Sequence, residues 1–372
     1  MHLIKKIVII LCFIPMRNNA QDILPKVAFT WGRLQDFPSR DGLAGAYVGV
    51  SNNALIVAGG TNFPDDTRPW SGGKKKWYDA IYVLDKPTGE WKVAGHLPKA
   101  SGYGVALTYN NSLLCFGGGD AEQNFNACIA ISYNKGKVNI TSLPNMPVPL
   151  INACGAIIND KVFIAGGIKT PGGKTTNHFF SLDLKDTAKG WSVLPSFPGA
   201  SRMLSTAGTL NNNFYVFGGV ELQNIQGDTA LRRKYLKSCL IYNAATGWRQ
   251  IADLPYALAA APGPAFGEGN MLYLFSGDDG ANAERNNELK DQHPGFTNNI
   301  LAYNIETNTW SIAGKVAVDI KPDADRFPLK SLYAPVTTPL TIWNNKIIIA
   351  GGEVRPAVRT SKVLTVTIDK QN

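Results

Sequence analysis

One short phrase recurs six times along this chain: a run of apolar residues that ends in a pair of small ones, nearly always glycines. It reads Leu55-Ile56-Val57-Ala58-Gly59-Gly60, Leu113-Leu114-Cys115-Phe116-Gly117-Gly118, Val162-Phe163-Ile164-Ala165-Gly166-Gly167, Phe214-Tyr215-Val216-Phe217-Gly218-Gly219, Leu272-Tyr273-Leu274-Phe275-Ser276-Gly277 and Ile347-Ile348-Ile349-Ala350-Gly351-Gly352. A unit this small cannot bury its own apolar face, so the units must stack on one another. The 372 residues would by length alone suit two or three domains. The repeat argues instead for one domain over residues 21–372.

Each glycine pair is followed, after a loop, by a second apolar strand such as Ile81-Tyr82-Val83-Leu84 or Leu301-Ala302-Tyr303-Asn304. A tryptophan then marks a third strand, at Trp91, Trp191, Trp248 and Trp310. A Leu-Pro turn comes next, as at Leu97-Pro98 and Leu254-Pro255, and a small-residue strand leads into the following glycines. Four short strands per unit at this spacing match kelch blades, so an all-β, six-bladed kelch-type β-propeller is expected, with the glycine pairs ending the inner strands. The last unit lacks its tryptophan. Thr30-Trp31-Gly32-Arg33-Leu34 near the amino terminus supplies the missing strand and closes the ring, with both termini in one blade. Helix is expected only in Ala281–Lys290.

Lys5-Lys6 followed by the apolar Ile7–Ile14 and a polar stretch ending at Ala20 has the pattern of a secretory signal peptide over residues 1–20. The apolar run is too short to span a membrane, so no membrane insertion is expected of the processed chain. The formal charge of +9 falls to about +6 once Lys5, Lys6 and Arg17 are removed. A modest positive balance suits an anionic small molecule, and scattered basic residues do not argue for nucleic acid. The run Lys74-Lys75-Lys76 reads as a solvated loop, and Cys115, Cys128, Cys154 and Cys239 as buried thiols rather than a disulfide framework or a zinc site.

In a propeller the loops after the glycines gather at one end of the channel, where a ligand site belongs. Three are long, at 61–79, 220–238 and 278–299. The last is short and chemically dense, Gly352-Glu353-Val354-Arg355-Pro356-Ala357-Val358-Arg359-Thr360. No glycine-rich nucleotide loop or metal cluster is present in the sequence, and His96, His178 and His293 are not spaced as metal-ligand pairs, so no cofactor is expected.

The segment with Glu353, Arg355-Pro356 and Arg359-Thr360 resembles the signature of the N-acetylneuraminate epimerases, or sialic acid mutarotases. Asp41-Gly42-Leu43-Ala44-Gly45, Tyr103-Gly104-Val105 and Phe197-Pro198-Gly199 with Arg202 extend the resemblance over most of the chain. The Glu353 loop lies in the last blade, as in a circularly permuted branch, and Ser276 departs from the pattern by replacing a glycine. The resemblance implies an isomerase that opens and recloses the sugar ring of free N-acetylneuraminate in the periplasm. It implies Glu353 and Arg359 as the catalytic pair, Glu353 as acid/base and Arg359 as anchor for the substrate carboxylate or electrostatic stabiliser, with Arg202 a second anchor and Asn62 and Tyr103 substrate contacts. The competing reading is a propeller that binds glycans or a protein without catalysis.

Overall fold

The structure is a computed structural model that describes residues 27–224 and 230–370; the expected signal peptide lies outside them. Six four-stranded antiparallel sheets form blades I (47–96), II (105–143), III (154–193), IV (206–251), V (266–315) and VI (340–370 with 27–34). In blade VI, Val27–Leu34 pairs antiparallel with Val363–Lys370, which pairs in turn with Lys346–Ala350. The expected closure of the ring by the two termini is therefore observed. The first and second strands of five blades join through Asn-Asn or Asn-Asp pairs held at positive φ, among them Asn52-Asn53 and Asn344-Asn345. Such residues tolerate the left-handed conformation that a two-residue hairpin requires.

One expectation needs correction. The glycine pairs end the second strand of each sheet, and the innermost strand is the small-residue one before it, as in Tyr47–Ser51 of blade I. The reason lies between blades. The second glycine of each intact pair donates its N–H to a carbonyl of the next blade, as in Gly60 to Ser101, Gly219 to Leu258 and Gly352 to Leu43. At Gly218, φ is 54° and a Cβ would sit 2.1 Å from the Leu258 oxygen, so the backbones can approach only if the side chain is missing. Ser276 keeps the left-handed geometry, and its hydroxyl donates to the Pro335 carbonyl of blade VI, replacing the lost backbone joint with a side-chain one.

On the outer side a tryptophan fastens five of the six blades to the one before. The indole N–H groups of Trp91, Trp191, Trp248, Trp310 and Trp31 donate to the carbonyls of Gln35, Pro144, Pro195, Ala252 and Lys315. Blade II carries Val138 in its outer strand instead. Six apolar clusters each draw buried residues from two neighbouring blades, so the core lies between sheets rather than within them. Cys115, Cys128, Cys154 and Cys239 are free and buried, and burial pushes the thiols of Cys128, Cys154 and Cys239 up to about 12. The segment expected to be helical holds one short α-helix, Asn286–Leu289, between two 3-10 turns.

Candidate active site

A ring of backbone hydrogen bonds circles the channel. Tyr103 N–H donates to Gly45, Asn152 to Tyr103, Leu204 to Asn152, Ala260 to Leu204, Thr337 to Ala260 and Gly45 to Thr337, at 2.7–2.9 Å. All six residues have positive φ, which Tyr, Leu, Ala and Thr adopt only when the surroundings enforce it. Just above this collar, the residue that follows each glycine pair forms a two-way bridge with the residue leading into the first strand of its own blade: Thr61 with Ala44, Gly119 with Gly102, Ile168 with Ile151, Val220 with Met203, Asp278 with Ala259 and Glu353 with Val336. The repeat thus places one residue per blade at an equivalent position on the same side of the collar. Ile168 and Val220 pack there in a buried apolar cluster and Thr61 is buried, whereas Gly119, Asp278 and Glu353 line the cavity above.

Over the collar lies a cavity of about 620 Å³ lined by Phe63, Trp70, Trp77, Phe296 and Tyr235, with Lys75, Arg233 and Arg359 as cations and Asp120, Asp278 and Glu353 as anions. The volume falls in the range of small-molecule sites. Its walls are the loops at 61–79 and 278–299 and the hairpin of Glu353–Arg355 and Val358–Arg359. Asp291 ties these together: its carboxylate meets Trp70 Nε1 at 3.2 Å and Arg68 Nε at 3.8 Å, and its carbonyl accepts from Arg355 at 2.7 Å. The third long loop forms the hairpin Val220–Asn224 with Leu231–Tyr235, which carries Arg233 and Tyr235 to the opposite wall.

The hairpin register sets Glu353 directly opposite Arg359, with Glu353 Oε1 3.2 Å from Arg359 Nη1. The same oxygen accepts the Ala357 N–H at 2.8 Å, which fixes the carboxylate across its own turn. Arg359 is only 4% exposed and lies 4.9 Å over the Phe63 ring. Burial opposes its charge, but Glu353 and then Tyr103 outweigh that and hold it protonated. Among the described residues its Nε and Nη1 have no hydrogen-bond acceptor, the approach to Glu353 being an ion contact only. Buried N–H groups left in this state are costly unless an anionic ligand meets them.

Tyr103 belongs to the same group. Its hydroxyl shares a 2.7 Å hydrogen bond with Thr61, and Lys75 Nζ sits 5.1 Å over its ring. A Cβ on Gly45 would fall 2.5 Å from that ring, so the glycine makes room for it. Burial alone would raise the phenol pKa, yet Arg359 and Lys75 together bring it below the ordinary value.

The structure does not bring Arg202 or Asn62 to the cavity. Arg202 spends its donors on the carbonyls of Ala200, Gly218 and Ser238 and on the Ser238 hydroxyl, a joint between blades. Asn62 donates to the Gly42 carbonyl and accepts from Tyr78, which pins the root of its loop. Residues that the sequence reading passed over take their places. Lys75, read as part of a solvated run, turns inward over Phe63, Trp77 and Tyr103, while Lys74 and Lys76 stay exposed. Asp278 was visible only as one acid among many in its loop; its position directly after the glycine pair, equivalent to that of Glu353, was the available signal. Among the described residues no group of three or more His, Cys, Asp and Glu is placed to hold a metal ion.

Fold and site together define a class: a six-bladed kelch-type propeller with a carboxylate–guanidinium pair in an aromatic-walled cavity at the channel mouth. A solved propeller titled "Structure of YjhT" superposes with a TM-score of 0.61 over 91% of this chain and 99% of its own, at 15% identity, which bears on the fold alone. The family model for N-acetylneuraminate epimerase matches residues 18–140 and 143–236, and the chain belongs to that family. Relatives named N-acetylneuraminate epimerase include those of Pasteurella multocida (strain Pm70), 37% identical over 33% of this chain and 37% of the relative, and Salmonella enteritidis PT4 (strain P125109), 28% identical over 60% and 57%. The matches thus span from about a third to just over half of these relatives' length. The family match covers Lys75 and Tyr103 but stops short of Glu353 and Arg359.

Proposed function

We propose that this protein interconverts the α and β anomers of free N-acetylneuraminate, with Glu353 as acid/base and Arg359 as the anchor for the substrate carboxylate. The observation that carries the reading is the buried Arg359, paired with Glu353 on one side and with Nε unsatisfied, in the wall of a cavity of small-molecule size. N-acetylneuraminate bears a carboxylate on its anomeric carbon. A guanidinium that holds this group also fixes the reacting carbon and its hydroxyl beside Glu353. The carboxylate removes the anomeric hydroxyl proton, the bond from that carbon to the ring oxygen opens as an acid gives that oxygen a proton, and reclosure on the other face of the new carbonyl, with both transfers reversed, yields the second anomer. Lys75 and the aromatic walls supply a cationic, partly apolar chamber for an anionic sugar. Family membership supports the substrate, and the amino-terminal pattern of residues 1–20 supports action in the periplasm.

Exchange NMR on equilibrated N-acetylneuraminate tests the reading. Wild type should produce α–β exchange cross-peaks that are far weaker for the methyl ester, which lacks the carboxylate charge, and weak for both compounds with Arg359→Ala. Equal exchange with acid and ester would contradict the anchoring role, and binding without exchange would leave a sugar-binding propeller.

A further inference from the structure

The anomeric reaction needs two proton transfers at two different oxygens, and Glu353 with Arg359 accounts for one. The pseudo-sixfold architecture shows where the second group is. Asp278 holds in blade V the position that Glu353 holds in blade VI, directly after the pair of small residues and bridged to the segment that leads into the first strand of its own blade. Both carboxyl groups line the same cavity. Asp278 Oδ2 accepts the Tyr235 hydroxyl at 2.6 Å and Oδ1 accepts the Gly280 N–H at 3.0 Å, so its carboxyl group is held by a partner from blade IV and by its own turn. Among the described residues no ion pair occupies it in the way that Asp183 or Asp319 is occupied; Arg233 is its cationic neighbour.

We propose that Asp278 is the second catalytic acid/base, acting on the ring oxygen while Glu353 acts on the anomeric hydroxyl. This rests on the mutarotase reading above. In opening, Glu353 carboxylate takes the anomeric O–H proton, that oxygen becomes the carbonyl, and the electron pair of the breaking bond moves to the ring oxygen, which takes its proton from Asp278. After rotation about the adjacent carbon–carbon bond, the hydroxyl so formed attacks the opposite carbonyl face, returns its proton to Asp278 and the carbonyl oxygen takes one from Glu353. No electrons are gained or lost, and both residues end as they began. The environments suit the division of labour: Glu353 faces a guanidinium, whereas burial raises the pKa of Asp278 against the lowering effects of Tyr235, the Gly280 N–H and Arg233.

The test is the pH profile of kcat for anomer exchange, corrected for the enzyme-free rate, in wild type, Glu353→Gln, Asp278→Asn, Asp278→Glu and Tyr235→Phe. A bell is expected for wild type. Asp278→Asn should lower kcat about 10²-fold, lose the alkaline limb and leave KM little changed, and Asp278→Glu should restore part of the rate. Tyr235→Phe should move the alkaline limb to higher pH, since the phenol favours the carboxylate form, and this arm remains informative if Asp278→Asn folds poorly. The proposal is overturned if Asp278→Asn keeps kcat within about twofold, keeps the alkaline limb, or loses activity through KM alone, which would make Asp278 a holder of sugar hydroxyls. If wild type itself does not accelerate exchange, the mutarotase reading falls and this one with it; a normal Asp278→Asn beside an inactive Glu353→Gln sinks only the role of Asp278.

Discussion

Arg202 and Arg359 are buried to nearly the same depth and differ in what meets their N–H groups. Arg202 bonds three carbonyls and a hydroxyl; Arg359 keeps Nε free beside a carboxylate. Substituting them should therefore separate stability from activity. Arg202→Ala strands several buried carbonyls and should cost about 3 kcal/mol or more in urea unfolding, whereas Arg359→Ala should shift the midpoint less and reduce kcat/KM at least about 10²-fold. Charge type could not distinguish the two in the sequence, because nothing local to Arg202 shows which carbonyls face it. The six-residue spacing of Glu353 and Arg359 was informative because a tight hairpin puts those positions across from one another. Lys75 hid in a run of like charges whose members alternate between cavity and solvent. Its effect on Tyr103 is measurable: one tyrosine should ionise below the ordinary value of about 10 in an ultraviolet titration, and Lys75→Met should move it up. A tyrosine spectrum unchanged by Lys75→Met would contradict the electrostatic picture.

The strand that ends in glycine is the element on which the architecture turns. Its glycines admit the neighbouring blade's carbonyls, and in blades V and VI its next residue is a carboxylate that lines the cavity. Gly218→Ala drives a Cβ toward the Leu258 oxygen at a positive φ and should cost more than about 3 kcal/mol. Ser276→Ala keeps the tolerated Cβ at the equivalent position and loses only the bond to Pro335, so about 1 kcal/mol is expected. Equal losses in thermal unfolding would mean that inter-blade backbone approach is not what the glycines serve. Repeat number, blade closure and the tryptophan strands were legible because each is written as a local pattern. The identity of the innermost strand was not, since the first and second strands are both short and apolar and only their neighbours distinguish them.

At the scale of the whole molecule, every major apolar cluster belongs to two blades at once, and blade VI exists only when both ends of the chain meet. Ending the chain after Thr360 removes the strand that Val27–Leu34 pairs with and opens two of the six inter-blade cores. Such a truncation should abolish cooperative unfolding; a retained sharp transition would show that the blades are stable apart from the ring. The closed ring also explains how residues far apart in sequence form one site. Thr61 and Tyr103 from the first blades meet Glu353 and Arg359 from the last across the same collar.

The central claim is that Glu353 in this cavity moves the anomeric proton. It is tested most directly by releasing N-acetylneuraminate as its α anomer with a retaining sialidase and following conversion to the β anomer by proton NMR. Wild type should shorten the conversion, and Glu353→Gln should superimpose on the enzyme-free trace. A wild-type trace no faster than the enzyme-free one, or a Glu353→Gln trace as fast as wild type, would contradict it.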